Sequence, residues 1–337
     1  MRLQEIGGEF GFIDRLRVLH AGATGDGLAA SIGDDAAILD APPGRQIVVT
    51  TDMLVENVHF RRDWSDPYSI GWKAAAVNLS DVAAMGADPT FAFLSLALTP
   101  HETVEGLDRL MNGFSDCLTR YGARLAGGDT NAAPHDLTIN VTLLGSVPTG
   151  QALTRAGARV GDVLLVTGTL GHSAAGLALL TTHGQPEAAH ISEALVSAHR
   201  RPQPRVTAGL AAAQTRKVRA CMDISDGLLG DLPKLCAASG VGARIETATL
   251  PITDELCRVC ELLGADPVQL ALQGGEDYEL LLAVAPADVD AVKTAVEATG
   301  IPLTAVGEII KSGLRILAPN GQDDITPPSG GWDHFAP

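Results

Sequence analysis

The stretch Ile47-Val48-Val49-Thr50-Thr51-Asp52-Met53-Leu54-Val55-Glu56-Asn57-Val58-His59-Phe60 turns an apolar run into two hydroxyls and a carboxylate. The apolar run predicts a β-strand, and its polar end predicts hard oxygen ligands delivered at the strand tip. Strand ends are where α/β enzymes place their chemistry, so this stretch sets the expected fold class. Four further motifs repeat the theme: Gly33-Asp34-Asp35 upstream, then Asn78-Leu79-Ser80-Asp81, Gly127-Gly128-Asp129-Thr130 and Asp223-Ile224-Ser225-Asp226-Gly227. None has a lysine or arginine beside it in sequence.

Convergence of such acids points to a divalent cation. Two like charges about 4 Å apart repel by roughly 4 kcal/mol at an effective dielectric near 20, and several such pairs rival a domain's whole stability. A bound cation removes that penalty. Each motif taken singly also reads as a turn, because Gly, Asp, Asn and Ser dominate turns for local reasons.

At 337 residues the chain exceeds one ordinary core, so two domains are expected, cut near Pro148-Thr149-Gly150 into 1–149 and 150–337. With 46% apolar and 19% charged residues a large buried core is expected and disorder is not. A net charge of −16 argues against nucleic-acid and anionic-membrane partners, which need basic patches. The start has no apolar core with a small-residue cleavage site, and the longest uncharged stretch, 163–186, is punctuated by glycines. A cytoplasmic protein is expected, and five cysteines fit reduced thiols. Cys257 and Cys260 sit in a helical pattern with no second pair to complete a zinc site, which reads as helix packing.

Along the chain, residues 10–20 predict an amphipathic helix, and Gly33–Leu39 leads into a strand. Asp66-Pro67 opens an alanine-rich helix through Ala84, on which Asn78 and Asp81 share a face. Strands follow at Phe91–Leu98 and Ala123–Ala126, separated by a helix over Glu102–Tyr121, and Asp136–Val147 alternates as a half-exposed strand. The second half restarts with the buried strand Asp162–Thr167. Its bend Gly168-Thr169-Leu170-Gly171 lacks both G-x-G-x-x-G and the P-loop lysine. The block His199–Arg205 opens another helix, and Gly274-Gly275-Glu276-Asp277-Tyr278-Glu279 precedes a strand.

Asp223–Gly227 admits three readings. It fails the ligand spacing of an EF-hand, which leaves a tight turn capping a helix or a metal and phosphate loop. The ordered set of motifs then adds an argument. Gly33–Ala36, Thr50–Asp52, Asn57–Phe60, Lys73–Asp81 with Met85–Pro89, Gly127–Thr130, Leu153–Arg155, Met222–Gly227, Gly274–Glu279 and Gly331–Phe335 resemble the thiamine-monophosphate kinase family across nearly the whole chain. That family belongs to the superfamily of aminoimidazole ribonucleotide synthetase and selenophosphate synthetase. The resemblance implies α/β and α+β architecture: an N-terminal sheet domain that forms the dimer, and a C-terminal α+β domain.

Position by position, the resemblance makes Asp35, Thr50, Thr51, Asp52, Asp81, Asp129, Asp223 and Asp226 ligands of several Mg²⁺ ions bridging nucleotide phosphates. Arg155 and Ser225 would contact ATP, with Tyr121 and Gly128 nearby, and His59, Glu276 and Trp332 would contact thiamine monophosphate. Arg155 also reads as a solvated arginine, His59 and Tyr121 as packed side chains, and Trp332 as a seal on the C-terminus. His172 stands where the family usually carries aspartate, so it is left out of the site. The expected protein is a cytoplasmic homodimeric kinase that moves the ATP γ-phosphoryl group directly onto thiamine monophosphate, without a general base. Its rivals are a superfamily relative with another acceptor, a metal-dependent phosphohydrolase and a non-catalytic sensor. Selenophosphate synthetase is disfavoured because it calls for an early cysteine, and the first here is Cys117.

Overall fold

The computed structural model describes residues 43–184 and 187–320, together with Glu5, Phe12, Arg15, Leu16, Val18, 27–30, 38–40 and Asp324. Asp35 and Trp332, and most of the helix expected over 10–20, lie outside the described residues. Two compact units emerge, one of residues 1–82 with 88–150 and one of 83–87 with 151–337.

In the first unit β1 (Leu28–Ala30) pairs with β2 (Ile38–Leu39), and the main sheet starts with β3 (Arg45–Val55). Then come α1 (Pro67–Ala84), β4 (Asp88–Leu98), α2 (Val104–Arg120), β5 (Arg124–Ala132) and β6 (Thr138–Pro148). The sheet runs β3-β6-β4-β5, with β4 and β5 parallel and the other pairs antiparallel. Asp66 caps α1 as expected, accepting from Tyr68 N at 3.1 Å and from the Ser69 hydroxyl at 2.7 Å. The next ten residues of α1 after Ser69, Ile70 to Leu79, are all buried, as a helix apolar on every side requires.

The sequence reading ends the first strand near Asp52, whereas β3 continues to Val55. Alternation explains the difference. Thr50, Asp52 and Leu54 turn to the covered face, while Ile47, Val49, Thr51 and Met53 turn to the other, so the polar residues do not end the strand.

The second unit continues with β7 (Val163–Thr167), α3 (His172–His183), α4 (Glu187–Ile191), α5 (Glu193–Arg200), α6 (Val206–Gln214), β8 (Val218–Ile224) and α7 (Leu228–Ser239). It closes with β9 (Gly242–Glu246), α8 (Asp254–Leu263), α9 (Pro267–Gln273), β10 (Glu279–Val284), α10 (Val289–Glu297), β11 (Leu303–Ile310) and β12 (Leu314–Leu317). The sheet order is β12-β9-β11-β7-β10-β8. Its core gathers Leu164, Val166, Met222, Leu229, Leu232, Leu281, Val306 and Ile309. β10 pairs antiparallel with both β7 and β8, so its start lies beside their ends, and the loops after Thr167 and Ile224 meet the loop before Glu279. Cys260 packs inside α8, in keeping with the helical reading of the C-x-x-C pair.

Two glycines join α1 to α2. A Cβ on Gly71 would stand 1.9 Å from Leu110 O, and one on Gly113 would stand 1.9 Å from Tyr68 O. The helices therefore touch backbone to backbone. Gly113→Ala is expected to lower unfolding stability by about 1–3 kcal/mol, the usual effect of overpacking. Chemical denaturation checks this, and a variant as stable as the parent would contradict the contact.

Candidate functional site

In the first unit β3 and α1 bring Thr50, Asp52, Asn78 and Asp81 together. The Thr50 hydroxyl donates to Asp81 Oδ2, and Asp52 N donates to Asn78 Oδ1 at 3.1 Å. Asn78 in turn donates to Ala74 O at 3.1 Å, which fixes its carboxamide. Burial, helped by the facing charge of Asp81, pushes the Asp52 carboxyl up to about 6. Among the described residues no three His, Cys, Asp or Glu side chains gather closely enough to hold a metal ion by themselves. The donor set nevertheless suits Mg²⁺, which commonly takes one or two carboxylates and fills its remaining positions with water and substrate phosphate.

Thr51 and Asp129 stand apart from this group. The Thr51 hydroxyl donates to Val141 O at 3.0 Å on the other face of the sheet. Asp129 is exposed on β5, in register with Ser95 of β4, three strands and roughly 14 Å from β3 at ordinary strand spacing. Gly128 lies so close to β4 that a Cβ would meet Leu94 O at 1.9 Å. Tyr121 caps α2, with the Arg120 guanidinium 5.8 Å from its ring centroid.

His59 closes the turn after β3. Its Nδ1 accepts from Val55 N at 3.0 Å, so the ring proton sits on Nε2. Beneath the turn the buried Lys73 donates to His59 O at 3.1 Å. Lys73 carries no sign of this contact in its own stretch of sequence. A cation buried under a candidate phosphate contact shows only once α1 and the turn are placed.

In the second unit Asp223, Ser225 and Asp226 follow one another at the end of β8, and Glu276 joins them from the neighbouring loop. Glu276 N donates to Ser225 O at 2.7 Å, and Tyr278 N donates to Ile224 O at 2.9 Å. Glu276 and Tyr278 both hold positive φ, 66° and 52°. Such backbone strain costs roughly 1–3 kcal/mol per residue and persists only where the surroundings over-determine it. Those surroundings are largely carboxylates that the sequence reading missed. Asp231, buried in α7, accepts from Ser225 N at 2.9 Å and Asp226 N at 2.8 Å. Asp277 accepts from Gly171 N at 2.6 Å and Ser173 N at 3.0 Å at the start of α3, and burial pushes its carboxyl up to about 7. Glu279 accepts from both ends of the Arg205 guanidinium, at 2.6 and 2.5 Å, and from the Thr167 hydroxyl at 2.7 Å. Its carboxylate fills the space where a Cβ on Gly168 would stand, so position 168 admits only glycine.

Asp226 does have a cation beside it, contrary to its sequence neighbourhood. Lys234, one turn beyond Asp231 on α7, reaches Asp226 Oδ2 at 2.5 Å and Asp231 Oδ1 at 2.8 Å. Arg155 keeps an exposed guanidinium, while the chain around it is fixed by Cys221 N donating to Thr154 O at 2.8 Å and the Ser239 hydroxyl donating to Arg155 O at 2.9 Å. His172 points elsewhere, to the Thr253 hydroxyl at 2.9 Å.

Comparison with known proteins gives one consistent result. Residues 33–147 match the N-terminal domain of AIR synthase related proteins, and 159–317 match the C-terminal domain. The chain is 41% identical to the thiamine-monophosphate kinase of Escherichia coli K12, over 90% of this chain and 91% of that protein. It is 35% identical to the enzyme of that name from Bacillus subtilis 168, over 90% and 93%. Among solved structures it resembles thiamine-monophosphate kinase from Stenotrophomonas maltophilia K279a, with a TM-score of 0.82 at 39% identity, covering 91% and 96% of the two chains. It also resembles AaThiL complexed with AMPPCP and TMP, with a TM-score of 0.76 at 33% identity, covering 99% of each.

The raised Asp52 carboxyl sets a pH dependence. Between its unfolded value of 3.8 and about 6 the folded protein binds more protons at this position than the unfolded chain. The contribution of Asp52 to stability is therefore full below 3.8 and lost as pH rises to about 6. Asp52→Asn is expected to melt higher than the parent at pH 7 without metal, and to show a flatter melting profile between pH 4 and 7. Thermal scans across that range with EDTA check this, and a variant melting lower at pH 7 would contradict it.

Proposed function

From a chain that belongs to the AIR synthase related family, and within it to the thiamine-monophosphate kinases, we infer how these residues carry the family's reaction. The protein is an ATP-dependent kinase that phosphorylates thiamine monophosphate, giving thiamine diphosphate and ADP. Our reading is that transfer is direct and in line, with no phosphoenzyme and no general base.

The observation that carries the reading is the hydrogen bond from Val55 N to His59 Nδ1. It places the ring proton on Nε2, so we read His59 as a donor to the acceptor phosphate, its Nδ1 already accepting from Val55 N. None need be taken, because the second pKa of a phosphate monoester is near 6 and most of the acceptor is already a dianion at pH 7. Lys73 supports the turn that presents His59. Glu276 and Trp332 are the remaining proposed acceptor contacts, and Arg155, Ser225, Tyr121 and Gly128 the proposed ATP contacts.

Thr50, Asp52 and Asp81 are proposed to hold Mg²⁺ in the first unit. Asp129, on a distant strand, would hold a separate ion along the polyphosphate, while Asp35, Asp223 and Asp226 complete the proposed set. Thr51, whose hydroxyl donates to Val141 O, belongs to the same proposed set. When bound, the metal neutralises charge on the transferring phosphoryl group. The residues themselves orient two polyanions and hold them in line, which is most of what this chemistry asks of a protein.

A homodimer is proposed on the exposed face of β3, where Ile47, Val49 and Met53 are 48%, 61% and 55% exposed. Apolar side chains in a row on an edge strand favour covering by a second copy. None of the described helices is long and apolar enough to cross a membrane, and cytoplasmic location is part of the same proposal.

His59→Asn is expected to raise KM for thiamine monophosphate about 10-fold while kcat at saturation stays within about 3-fold. Free thiamine should not be phosphorylated. Comparable turnover of thiamine, or abolished kcat at unchanged KM, would mean that a base is at work; phosphate release without ATP would favour a phosphohydrolase. For the dimer, Val49→Asp is expected to sediment as a monomer at micromolar concentration where the parent does not. A parent that is already monomeric would refute the interface.

A further inference from the structure

The segment His199–Arg205 grips the Gly274–Glu279 loop from both ends. At one end Arg205 forks onto the buried carboxylate of Glu279. At the other, His199 closes the last turn of α5, buried to 4% exposure, with Nδ1 3.2 Å from Glu276 Oε2 and 3.2 Å from Ser173 Oγ. Nδ1 can meet both oxygens only by carrying the proton, because a bare Nδ1 would face the Glu276 carboxylate as acceptor against acceptor. A carboxylate is the stronger acceptor of the two, so Nδ1–H fixes the direction of Oε2. The Glu276 backbone is itself held at φ 66° and tied to Ser225 O, so its side chain leaves the loop from a fixed point.

We propose that His199 is a positioning residue for thiamine monophosphate: by donating to Oε2 it aims the Glu276 carboxylate, which is 26% exposed, at the cationic end of the acceptor. The inference rests on the reading of Glu276 as an acceptor contact. Plain helix packing does not account for the imidazole. The α3–α5 contact is made by backbone, since a Cβ on Gly176 would stand 2.0 Å from Leu195 O and 3.2 Å from the Cβ of His199. A leucine at 199 keeps that Cβ and removes the Nδ1 donor.

Steady-state kinetics of the full-length enzyme with ATP and thiamine monophosphate test the proposal on His199→Leu, His199→Asn, Glu276→Gln and the double variant His199→Leu with Glu276→Gln. His199→Leu is expected to raise KM for thiamine monophosphate about 10-fold and to leave KM for ATP within about 2-fold. His199→Asn, whose amide nitrogen takes the place of Nδ1, should restore KM to within about 3-fold of the parent. The double variant should be no worse than Glu276→Gln alone, as expected of two residues acting through one contact. An unchanged acceptor KM in His199→Leu, a parallel rise in both Michaelis constants, or additive effects in the double variant would each overturn the proposal. If Glu276→Gln raises acceptor KM and His199→Leu does not, His199 alone is misassigned. If Glu276→Gln leaves acceptor KM unchanged, the reading of Glu276 falls and this inference with it.

Discussion

Asp52 and Asp81 repel, and much of the first unit can be understood as the apparatus that keeps them together. Asp52 cannot move away, because it sits inside an eleven-residue strand paired along its whole length to β6. Asp81 lies on the last turns of a buried eighteen-residue helix. Two neutral groups ease the contact, the Thr50 hydroxyl on Asp81 and the Asn78 carboxamide beneath Asp52. Neither removes the charge. On the proposed reading, a divalent cation held by this pair would relieve that repulsion.

The second unit solves the opposite problem, holding loops in an unfavourable backbone without letting their functional groups be consumed. Asp231, Asp277 and Glu279 accept from backbone amides or from the Arg205 guanidinium. Ser225 and Glu276 are thereby presented from loops bonded to one another, beside Asp223, buried near the end of β8. Two of these braces, Asp231 and Glu279, are buried to 1% and 2%, whereas the Glu276 side chain keeps 26% exposure.

Much of this was legible in the sequence because the responsible signals are local. Asp66-Pro67 marks a helix start, the alternation from Leu137 to Leu143 marks a strand, and motif order points to the family. What was not legible depends on tertiary neighbours. Nothing in Thr50-Thr51-Asp52 says that the strand continues through it, since sheet pairing overrides the polar residues. Lys234 reaches Asp226 from eight residues away, and Lys73 reaches the His59 carbonyl from fourteen. Asp231, Asp277 and Glu279 are typed like ligands and act as braces, a distinction carried by their hydrogen-bond partners and not by residue identity.

The packing of Gly71 on Leu110 and of Gly113 on Tyr68 limits how the protein tolerates change. Where two helices meet through side chains, one can roll by a few degrees and the rotamers adjust. Here carbonyl oxygens stand where Cβ atoms would go, so α1 has no cushion at that point. Its azimuth is locked ten residues upstream of Asp81, by a residue with no functional group at all. Sequence drift at Gly71 or Gly113 would thus be filtered as strictly as drift at the carboxylates, and a variant catalogue scored only by distance from the phosphates would misjudge both positions as permissive.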